Sequence, residues 1–219
     1  MKLVVFDVDG TLVDSQQMIV GSMNAGFEDA GLAPIDRQQV LSIVGLSLPV
    51  AVAELTPDVA PETRPKVVDG YRAAFQRSRM HEGAPLYPGA QDCLDMLAAR
   101  DDILLAIATG KSRRGLDALV ETHGWQPLFV SRQTADFHPS KPHPAMLQAA
   151  LDEARVAADR AVMVGDTEFD IAMALSAGTG AYGVGWGYHP SARLLSAGAA
   201  LVAPDFAVLS RALQEWADE

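Results

Sequence analysis

Short apolar runs alternate with helical patterns along most of the chain, and this alternation predicts an α/β fold built on a doubly wound, Rossmann-like parallel sheet. One region, from about residue 15 to about residue 82, breaks the alternation because its apolar residues recur only at helical spacing. A segment rich in glycine and proline follows, as expected where the chain returns to the sheet. We therefore predict an α/β core domain formed by residues 1–14 and 84–219, and a small inserted α-helical cap domain formed by residues 15–83.

The predicted strands are short continuous apolar runs, which are typical of strands buried on both faces. The first covers residues 3–6, directly before the predicted cap. The others come after it, at residues 103–108, 128–130, 161–164, 181–184 and 200–202.

Four apolar stripes with helical spacing predict the helices of the cap domain. Gly31 and Pro34 end the first of them. The stripes consist of Ile19, Met23, Phe27 and Ala30; Val40, Ile43 and Val44; Leu48, Val52 and Leu55; and Val67 or Val68 with Tyr71 and Phe75. The returning linker contains Gly83, Pro85, Pro88 and Gly89.

The composition of the 219-residue chain excludes several classes of protein. With 28 acidic and 17 basic residues its formal net charge is -11, so neither a nucleic acid nor an anionic membrane surface is an expected partner. No stretch approaches the roughly 20 apolar residues of a membrane span, and the first apolar run ends at Asp7, too early for a signal peptide. We therefore expect a cytoplasmic protein.

The single cysteine, Cys93, excludes an intramolecular disulfide and suits a reducing compartment. It lies in a predicted helix, where we expect a packing residue rather than a reactive thiol. Trp125, Trp186 and Trp216 are likewise expected to pack in the interior.

Two aspartates directly follow the first predicted strand, in the order Asp7-Val8-Asp9-Gly10-Thr11. Side chains two apart in an extended segment share a face, so Asp7 and Asp9 are expected to point the same way. Two such carboxylates repel one another unless a cation or a shared proton lies between them. Taken alone, the pair is also compatible with an ordinary acidic turn.

Polar residues also follow two later apolar segments, and ligands of doubly wound sheets bind at the carboxyl ends of the strands. Thr109 and Gly110 end the second strand, where a hydroxyl and backbone N–H groups suit a phosphate oxygen. Lys141 lies in Ser140-Lys141-Pro142-His143-Pro144, just before a predicted helix that begins near Pro144, and the flanking prolines would hold it as a fixed positive charge. Asp166 and Asp170 follow the strand at residues 161–164 and, being four apart, would share one face of a helix start. Oxygen ligands of this kind suit Mg²⁺. Together these residues supply a nucleophile, a second carboxylate for proton transfer, a phosphate-binding hydroxyl, a cation and a metal site.

These motifs resemble those of the haloacid-dehalogenase-like hydrolase superfamily, in the branch (subfamily I) with a helical cap after the first motif. The residues that carry the resemblance are Asp7-Val8-Asp9-Gly10-Thr11-Leu12-Val13-Asp14-Ser15, Thr109, Lys141 and Gly165-Asp166-Thr167-Glu168-Phe169-Asp170. The likeness covers essentially the whole chain. Members similar to phosphoglycolate phosphatases look nearest, through Ala108-Thr109-Gly110-Lys111-Ser112 and Lys141-Pro142.

The resemblance implies a Mg²⁺-dependent phosphatase that works through an aspartyl phosphate. Asp7 would be the nucleophile and Asp9 the general acid and base. The carboxylates of Asp7 and Asp166 and the backbone carbonyl of Asp9 would bind Mg²⁺. Four further residues complete the site: Thr109 and Gly110 would bind the phosphoryl oxygens, Lys141 would offset negative charge, and Asp170 would support the metal site through water or neighbouring ligands.

The expected substrate is a small phosphomonoester, with 2-phosphoglycolate as the single best candidate. Residues 45–48 are a candidate specificity loop, and the cap also offers basic residues that could reach the substrate; His138 and His143 flank Lys141. The basic residues are Arg64, Lys66, Arg72, Arg77 and Arg79. The sequence leaves the oligomeric state open between a monomer and a homodimer.

Four alternatives compete with the phosphatase. A phosphomutase of the β-phosphoglucomutase type keeps both aspartates and stays open. A dehalogenase needs no acid for its leaving group, so Asp9 argues against it. A signalling receiver with a phospho-accepting aspartate lacks a helical insertion. A catalytically silent binding protein would have lost at least one of the motif residues, and none is missing.

Overall fold

The computed structural model describes residues 1–81 and 84–219, with only the backbone described for residues 79–81. The side chain of the predicted cap residue Arg79 is therefore not described. The predicted linker residue Gly83 lies outside the described residues. The boundary between cap and core at residues 83 and 84 stays a prediction for the same reason.

The described residues form one sheet of six parallel strands in the order β3-β2-β1-β4-β5-β6. This is the strand order of doubly wound nucleotide-binding folds, and the predicted fold class is confirmed. The strands are β1 (Lys2–Phe6), β2 (Ile103–Thr109), β3 (Phe129–Thr134), β4 (Ala161–Gly165), β5 (Gly180–Val184) and β6 (Leu201–Ala203).

All six predicted strands exist, and the largest difference lies in β3. Its prediction, residues 128–130, covers only the start of Phe129–Thr134. The rest of the strand is polar, and its buried Gln133 donates a hydrogen bond to Ser131 Oγ at 2.8 Å. A search for apolar runs misses such a segment, because its residues are polar and can be buried only through the hydrogen bonds that their side chains form.

Helices cover both faces of the sheet, so alternate residues of β1 enter two different apolar clusters. Val4 and Phe6 pack with α5 (Ala90–Ala98), α6 (Arg113–His123) and α10 (Phe206–Asp218). Leu3 and Val5 pack with α7 (Ala145–Ala154), α8 (Glu168–Ala177) and α9 (Ser191–Ala197). Cys93 and Trp125 are buried in the first cluster, and Trp186 and Trp216 pack against it, as expected of packing residues.

Between β1 and α5 the described chain contains helices and no strand, as predicted. These helices are α1 (Gln16–Asp29), α2 (Arg37–Ser42), α3 (Leu48–Leu55) and α4 (Arg64–His81), with a 3₁₀ turn at Pro61–Thr63. They enclose a third apolar cluster of their own, whose buried members are Ile19, Met23, Phe27, Val40, Val44, Val52, Val67 and Val68. In the described residues, no helix is long and apolar enough to cross a membrane.

Candidate active site

Three of the predicted polar residues follow neighbouring strands, so the sheet itself brings them together. Asp7 follows β1, Asp166 follows β4, and Thr109 is the last residue of β2. Since β1 lies between β2 and β4, all three stand at one edge of the sheet, at the point where the strand order reverses.

The ammonium group of Lys141 lies between two carboxylates in the interior. Its Nζ is 3.0 Å from Asp7 Oδ1 and 2.6 Å from Asp170 Oδ1, and all three side chains are almost completely buried. Lys141 donates a hydrogen bond to Asp170. With Asp7 Oδ1 it forms an ion pair, and in the described part of the chain that oxygen has no hydrogen-bond donor. Lys141 is therefore a fixed internal cation and not a surface lysine.

Burial is the largest single influence on the pKa values of Asp7 and Lys141. Burial raises the pKa of Asp7 to about 6, against the opposing attraction of Lys141, and the nearby charges of Asp170 and Asp9 add to the rise. Burial lowers the pKa of Lys141, but attraction to Asp170 and Asp7 outweighs it, so that the pKa lies above its ordinary value. At neutral pH the lysine is charged, and the Asp7 carboxylate is held in a site that disfavours its charge.

The Asp9 carboxylate is held by two side chains that the sequence analysis did not assign. Lys111 Nζ lies 2.9 Å from Asp9 Oδ1 and 2.8 Å from Oδ2, and Ser15 Oγ donates to Oδ1 at 2.6 Å. Ser15 Oγ is also 3.0 Å from the hydroxyl of Tyr188. Both Lys111 and Ser15 stand inside the quoted motifs, but nothing in their spacing indicates that they meet at Asp9.

Asp166 is buried and receives hydrogen bonds from both flanking loops. Thr11 Oγ1 donates to Oδ1 at 3.0 Å, and the backbone N–H of Tyr188 donates to Oδ2 at 2.9 Å. Glycines make this close approach possible, since a Cβ at Gly10 or Gly187 would lie 2.2 Å or 2.1 Å from Asp166 atoms. In the sequence, Gly185 and Gly187, which flank Trp186 just after β5, are the signal that could have indicated the second loop.

Asp170 joins the site by a different route from the predicted one. Thr167 is the N-cap of α8, so Asp166 lies ahead of the helix and does not share a helix face with Asp170. The backbone N–H of Thr167 donates to Asp170 Oδ2 at 3.0 Å, and the backbone N–H of Asp170 donates to Thr167 Oγ1 at 3.4 Å, which together form a capping box. Thr167 Oγ1 also donates to Asp170 Oδ2 at 2.7 Å. The other carboxylate oxygen of Asp170 accepts from Lys141, and the residue thereby links the helix start to the buried cation.

These residues form a donor set that fits a hard divalent cation. Oxygen atoms of Asp7, Asp166 and Asp170 lie within 4.8 Å of one another, and all three residues are buried. One lysine does not balance three carboxylates, and Asp7 Oδ1 lacks a donor. Burial and the charges of Asp170 and Asp7 raise the pKa of Asp166 well above its ordinary value. A bound cation with oxygen ligands would relieve each of these costs.

Thr109 and Gly110 line a cavity together with Asp7 and Asp9. The backbone N–H of Lys111 donates a hydrogen bond to Thr109 Oγ1 at 3.2 Å, and this bond orients the Thr109 side chain. Ser112 is an N-cap, since its Oγ accepts from Gly115 N at 3.2 Å, so it is engaged in starting α6.

A cavity of about 570 Å³ lies between these residues and the helical cap. The predicted loop 45–48 lines it, and so does Arg72 from the cap. A Cβ at Gly110 would lie 2.7 Å from the carbonyl oxygen of Gly45, so the loop sits directly on the second strand end. The cap thus covers the carboxyl ends of the strands.

Other predicted contacts of the cap and of the Lys141 segment lie elsewhere. Arg64 donates to the carbonyl oxygen of Thr56 at 2.9 Å, within the cap. His138 Nε2 lies 2.8 Å from Gln133 Oε1, and His143 is exposed. Among the described residues, Arg64, Lys66, Arg77 and both histidines are not part of the cavity wall.

Comparison with known proteins gives a consistent result. A family model described as haloacid dehalogenase-like hydrolase matches residues 4–184. A Dickeya dadantii (strain 3937) protein named "Probable phosphatase IndB" is 35% identical over 199 residues, which cover 89% of this chain and 86% of that protein. The phosphoglycolate phosphatase of Rhodospirillum rubrum is 35% identical over 216 residues, 95% of this chain and 89% of the relative. A solved hydrolase structure from Pseudomonas syringae, 21% identical, superposes with a TM-score of 0.87 over 98% of this chain and 99% of that one, which shows the shared fold.

Proposed function

Because the chain belongs to the haloacid dehalogenase-like hydrolase family and is a phosphoric monoester hydrolase, we propose that it hydrolyses a small phosphomonoester through a phosphorylated Asp7, with Mg²⁺ as its metal. The observation that carries this proposal is the position of Asp7. It lies beside the buried Lys141 ammonium, at 3.0 Å, and its side chain reaches the wall of a cavity that the cap covers.

The proposed ligands of Mg²⁺ are the carboxylates of Asp7 and Asp166 and the backbone carbonyl of Asp9, with Asp170 in support. The cluster of three buried carboxylates supports such a site, and oxygen ligands favour Mg²⁺ over zinc. When bound, the ion supplies neutralisation and orientation of the phosphoryl group.

In the first proposed step, a carboxylate oxygen of Asp7 forms a bond to phosphorus while the bond between phosphorus and the leaving oxygen breaks. Asp9 donates a proton to that oxygen, which departs as an alcohol. In the second step Asp9 takes a proton from water, whose oxygen attacks phosphorus. The bond between the Asp7 oxygen and phosphorus then breaks, which releases inorganic phosphate and regenerates the Asp7 carboxylate.

The neighbouring residues position this chemistry. Lys111 and Ser15 orient the Asp9 carboxylate, through contacts of 2.6–2.9 Å. Thr109 and Gly110 stand where they can bind phosphoryl oxygens, and Lys141 offsets the charge that Asp7 and the phosphoryl group share. Cap residues exclude bulk water from the reacting atoms.

Asp7→Asn tests the proposal most directly, because an amide cannot form an acyl phosphate. Phosphate release from 2-phosphoglycolate, sugar phosphates, nucleotides, pyrophosphate and a phosphopeptide should require Mg²⁺, stop with excess chelator and fall at least about 10⁴-fold in Asp7→Asn. The exposed Asp14 in the same motif provides the control, since Asp14→Asn should keep nearly wild-type rates. Near-normal turnover by Asp7→Asn would refute the mechanism, and isomerisation of a sugar phosphate without free phosphate would indicate a mutase.

Sequence resemblance favours 2-phosphoglycolate, and the name of the Rhodospirillum rubrum relative supports it, so this ester is the reference against which other small phosphomonoesters are compared. A clear preference for the phosphopeptide would contradict the class of small substrates. A preference for a different small ester would contradict only the choice of glycolate.

A further inference from the structure

The cavity has two ends of different chemistry. Its polar end holds Asp7, Asp9, Thr109 and Lys111, which are the residues proposed for phosphoryl transfer. Its other end is formed by apolar cap residues from α1, from α4 and from residues 43–48. At about 570 Å³ the cavity falls within the range of sites that take drug-sized ligands, roughly 300–1,000 Å³.

An aromatic face forms the α4 side of the apolar end. Tyr71 and Phe75, one helical turn apart, have ring centroids 5.7 Å apart and planes inclined by only 16°. Both rings are half-buried and line the cavity, and Ile19 and Met23 of α1 line the same wall. The two rings therefore form a stacked aromatic pair at the wall of the cavity.

This aromatic face begins next to the proposed general acid. Lys111 Nζ lies 2.8 Å from Asp9 Oδ2 and 4.9 Å from the centroid of the Phe75 ring. An ester oxygen placed to receive a proton from Asp9 would thus carry its organic group toward Phe75. A group of only two carbons would leave most of the apolar wall in contact with water, which is unfavourable by about 25 cal/mol for each Å² of apolar surface left uncovered.

We propose that the leaving group of the substrate carries a planar ring that packs against the Tyr71–Phe75 face, so that phosphate esters of ring-bearing alcohols are the preferred class. This inference rests on the proposed phosphatase function. Aromatic groups stack favourably on aromatic side chains, beyond the effect of area alone. Arg72 and Arg114 also line the cavity and stand where polar substituents of such a ring can meet them.

Three alkyl esters with leaving alcohols of similar acidity isolate the ring. Benzyl phosphate carries a planar ring, cyclohexylmethyl phosphate carries a ring of the same size that is not planar, and 2-phosphoglycolate carries none. We expect kcat/KM to be about ten-fold higher for benzyl phosphate than for either of the others. Uridine 5′-monophosphate and pyridoxal 5′-phosphate then show which kind of planar ring is favoured.

Variants of Phe75 assign the preference to the aromatic face. The ratio of kcat/KM for benzyl phosphate to that for 2-phosphoglycolate should fall about ten-fold in Phe75→Leu and be retained in Phe75→Tyr. Val50→Ala, at an exposed cap position that does not line the cavity, should keep the wild-type ratio and rates.

Phosphate release from 2-phosphoglycolate equal to or faster than that from benzyl phosphate would overturn the inference while leaving the phosphatase function intact. Equal rates for the benzyl and cyclohexylmethyl esters, or an unchanged ratio in Phe75→Leu, would overturn the role of the planar ring. If no ester is hydrolysed, the phosphatase function fails, and calorimetric titration of Asp7→Asn with the same esters decides the inference separately. Tighter binding of benzyl phosphate supports it, and equal affinities overturn it.

Discussion

Lys141 is a fully buried lysine, and two aspartates are within 3.0 Å of its ammonium group. Breaking a buried ion pair by removing one partner is costly, because the remaining charge stays uncompensated in the interior. Removal of Lys141 is therefore expected to lower the stability of the core as well as to change the surroundings of Asp7. The residues of this site can be tested one at a time.

Asp9→Asn separates the two proposed half-reactions. An amide cannot donate a proton to an alkoxide, so kcat/KM for an alkyl phosphate should fall by about 10²–10⁴-fold. A good leaving group needs no such proton, so 4-nitrophenyl phosphate should still phosphorylate Asp7. Rapid mixing should then show a burst of 4-nitrophenolate followed by slow turnover, since Asp9 is also the proposed base that takes a proton from water. Equal losses with both esters, without a burst, would contradict the role of Asp9.

Protons should compete with Mg²⁺ at Asp7. The pKa of Asp7 in the metal-free protein is raised from 3.8 to about 6, chiefly by burial. That carboxyl therefore contributes stability that is fully present below 3.8 and is lost as the pH rises through about 6. Under the proposed function, Mg²⁺ should bind the ionised form and restore stability at the pH values where it is lost.

The measurement is the increase in melting temperature that Mg²⁺ produces. It should be several degrees at about pH 7.5 and much smaller at about pH 5. Asp7→Asn should lose most of this difference between the two pH values, whereas Asp14→Asn should keep it. An increase of the same size at both pH values would contradict a metal site that includes Asp7.

At the scale of elements, helices α1 and α4 approach closely at two glycines. A Cβ on Gly26 would lie 2.5 Å from the carbonyl oxygen of Val67 and 2.9 Å from the backbone nitrogen of Tyr71. Gly70, on the facing helix, would place its own Cβ 2.9 Å from Gly26 Cα. These contacts set the distance between the helix that carries Met23 and the helix that carries the aromatic face.

Gly26→Ala should lower the free energy of unfolding by about 1–3 kcal/mol, because backbone atoms must move apart. Gly21→Ala is the matched control, since the same helix has open space at that position. It should stabilise the protein by about 0.5–1 kcal/mol through helix propensity. Denaturant unfolding of both variants gives the comparison. A Gly26→Ala protein as stable as Gly21→Ala would show that the two helices can separate without cost.

At the scale of the whole molecule, polar contacts join the cap to the core. Ser47 N–H donates to Ser140 Oγ at 2.8 Å, next to Lys141. His189 Nδ1 accepts from Glu168 N at 3.2 Å, so its Nε2 carries the hydrogen that is donated to the carbonyl oxygen of Ser42 at 3.0 Å. Such bonds exist only while the cap lies on the core.

Ser140→Ala should therefore weaken the closed arrangement of the cap. A single hydrogen bond of this kind is worth about 0.5–1.5 kcal/mol, so KM for the substrate should rise by roughly two- to ten-fold. Ser140→Thr keeps the hydroxyl and should stay near the wild-type KM. Steady-state kinetics with one ester suffices, and an unchanged KM in Ser140→Ala would show that this contact does not contribute to closure.

The sequence by itself determined the fold class, the presence of a helical insertion after the first strand, and the family. Apolar periodicity and the order of short motifs carry this information, because a buried strand or an amphipathic helix must place its apolar residues at a regular spacing. The sequence also singled out Asp7, Asp9, Thr109 and Asp166, which stand at or near strand ends, and Lys141, which lies in the segment between β3 and α7.

Only the tertiary structure decided which groups meet these residues. Lys111 reaches Asp9, Tyr188 supports both Ser15 and Asp166, and the polar half of β3 is buried. These contacts join residues that are up to 173 positions apart, and no local spacing records them. The aromatic face is a similar case, since helical periodicity presents Tyr71 and Phe75 as core residues. Packing of α1 against α4 leaves their rings at the wall of the cavity, because the fold, and not the spacing, decides which apolar side chains the interior covers.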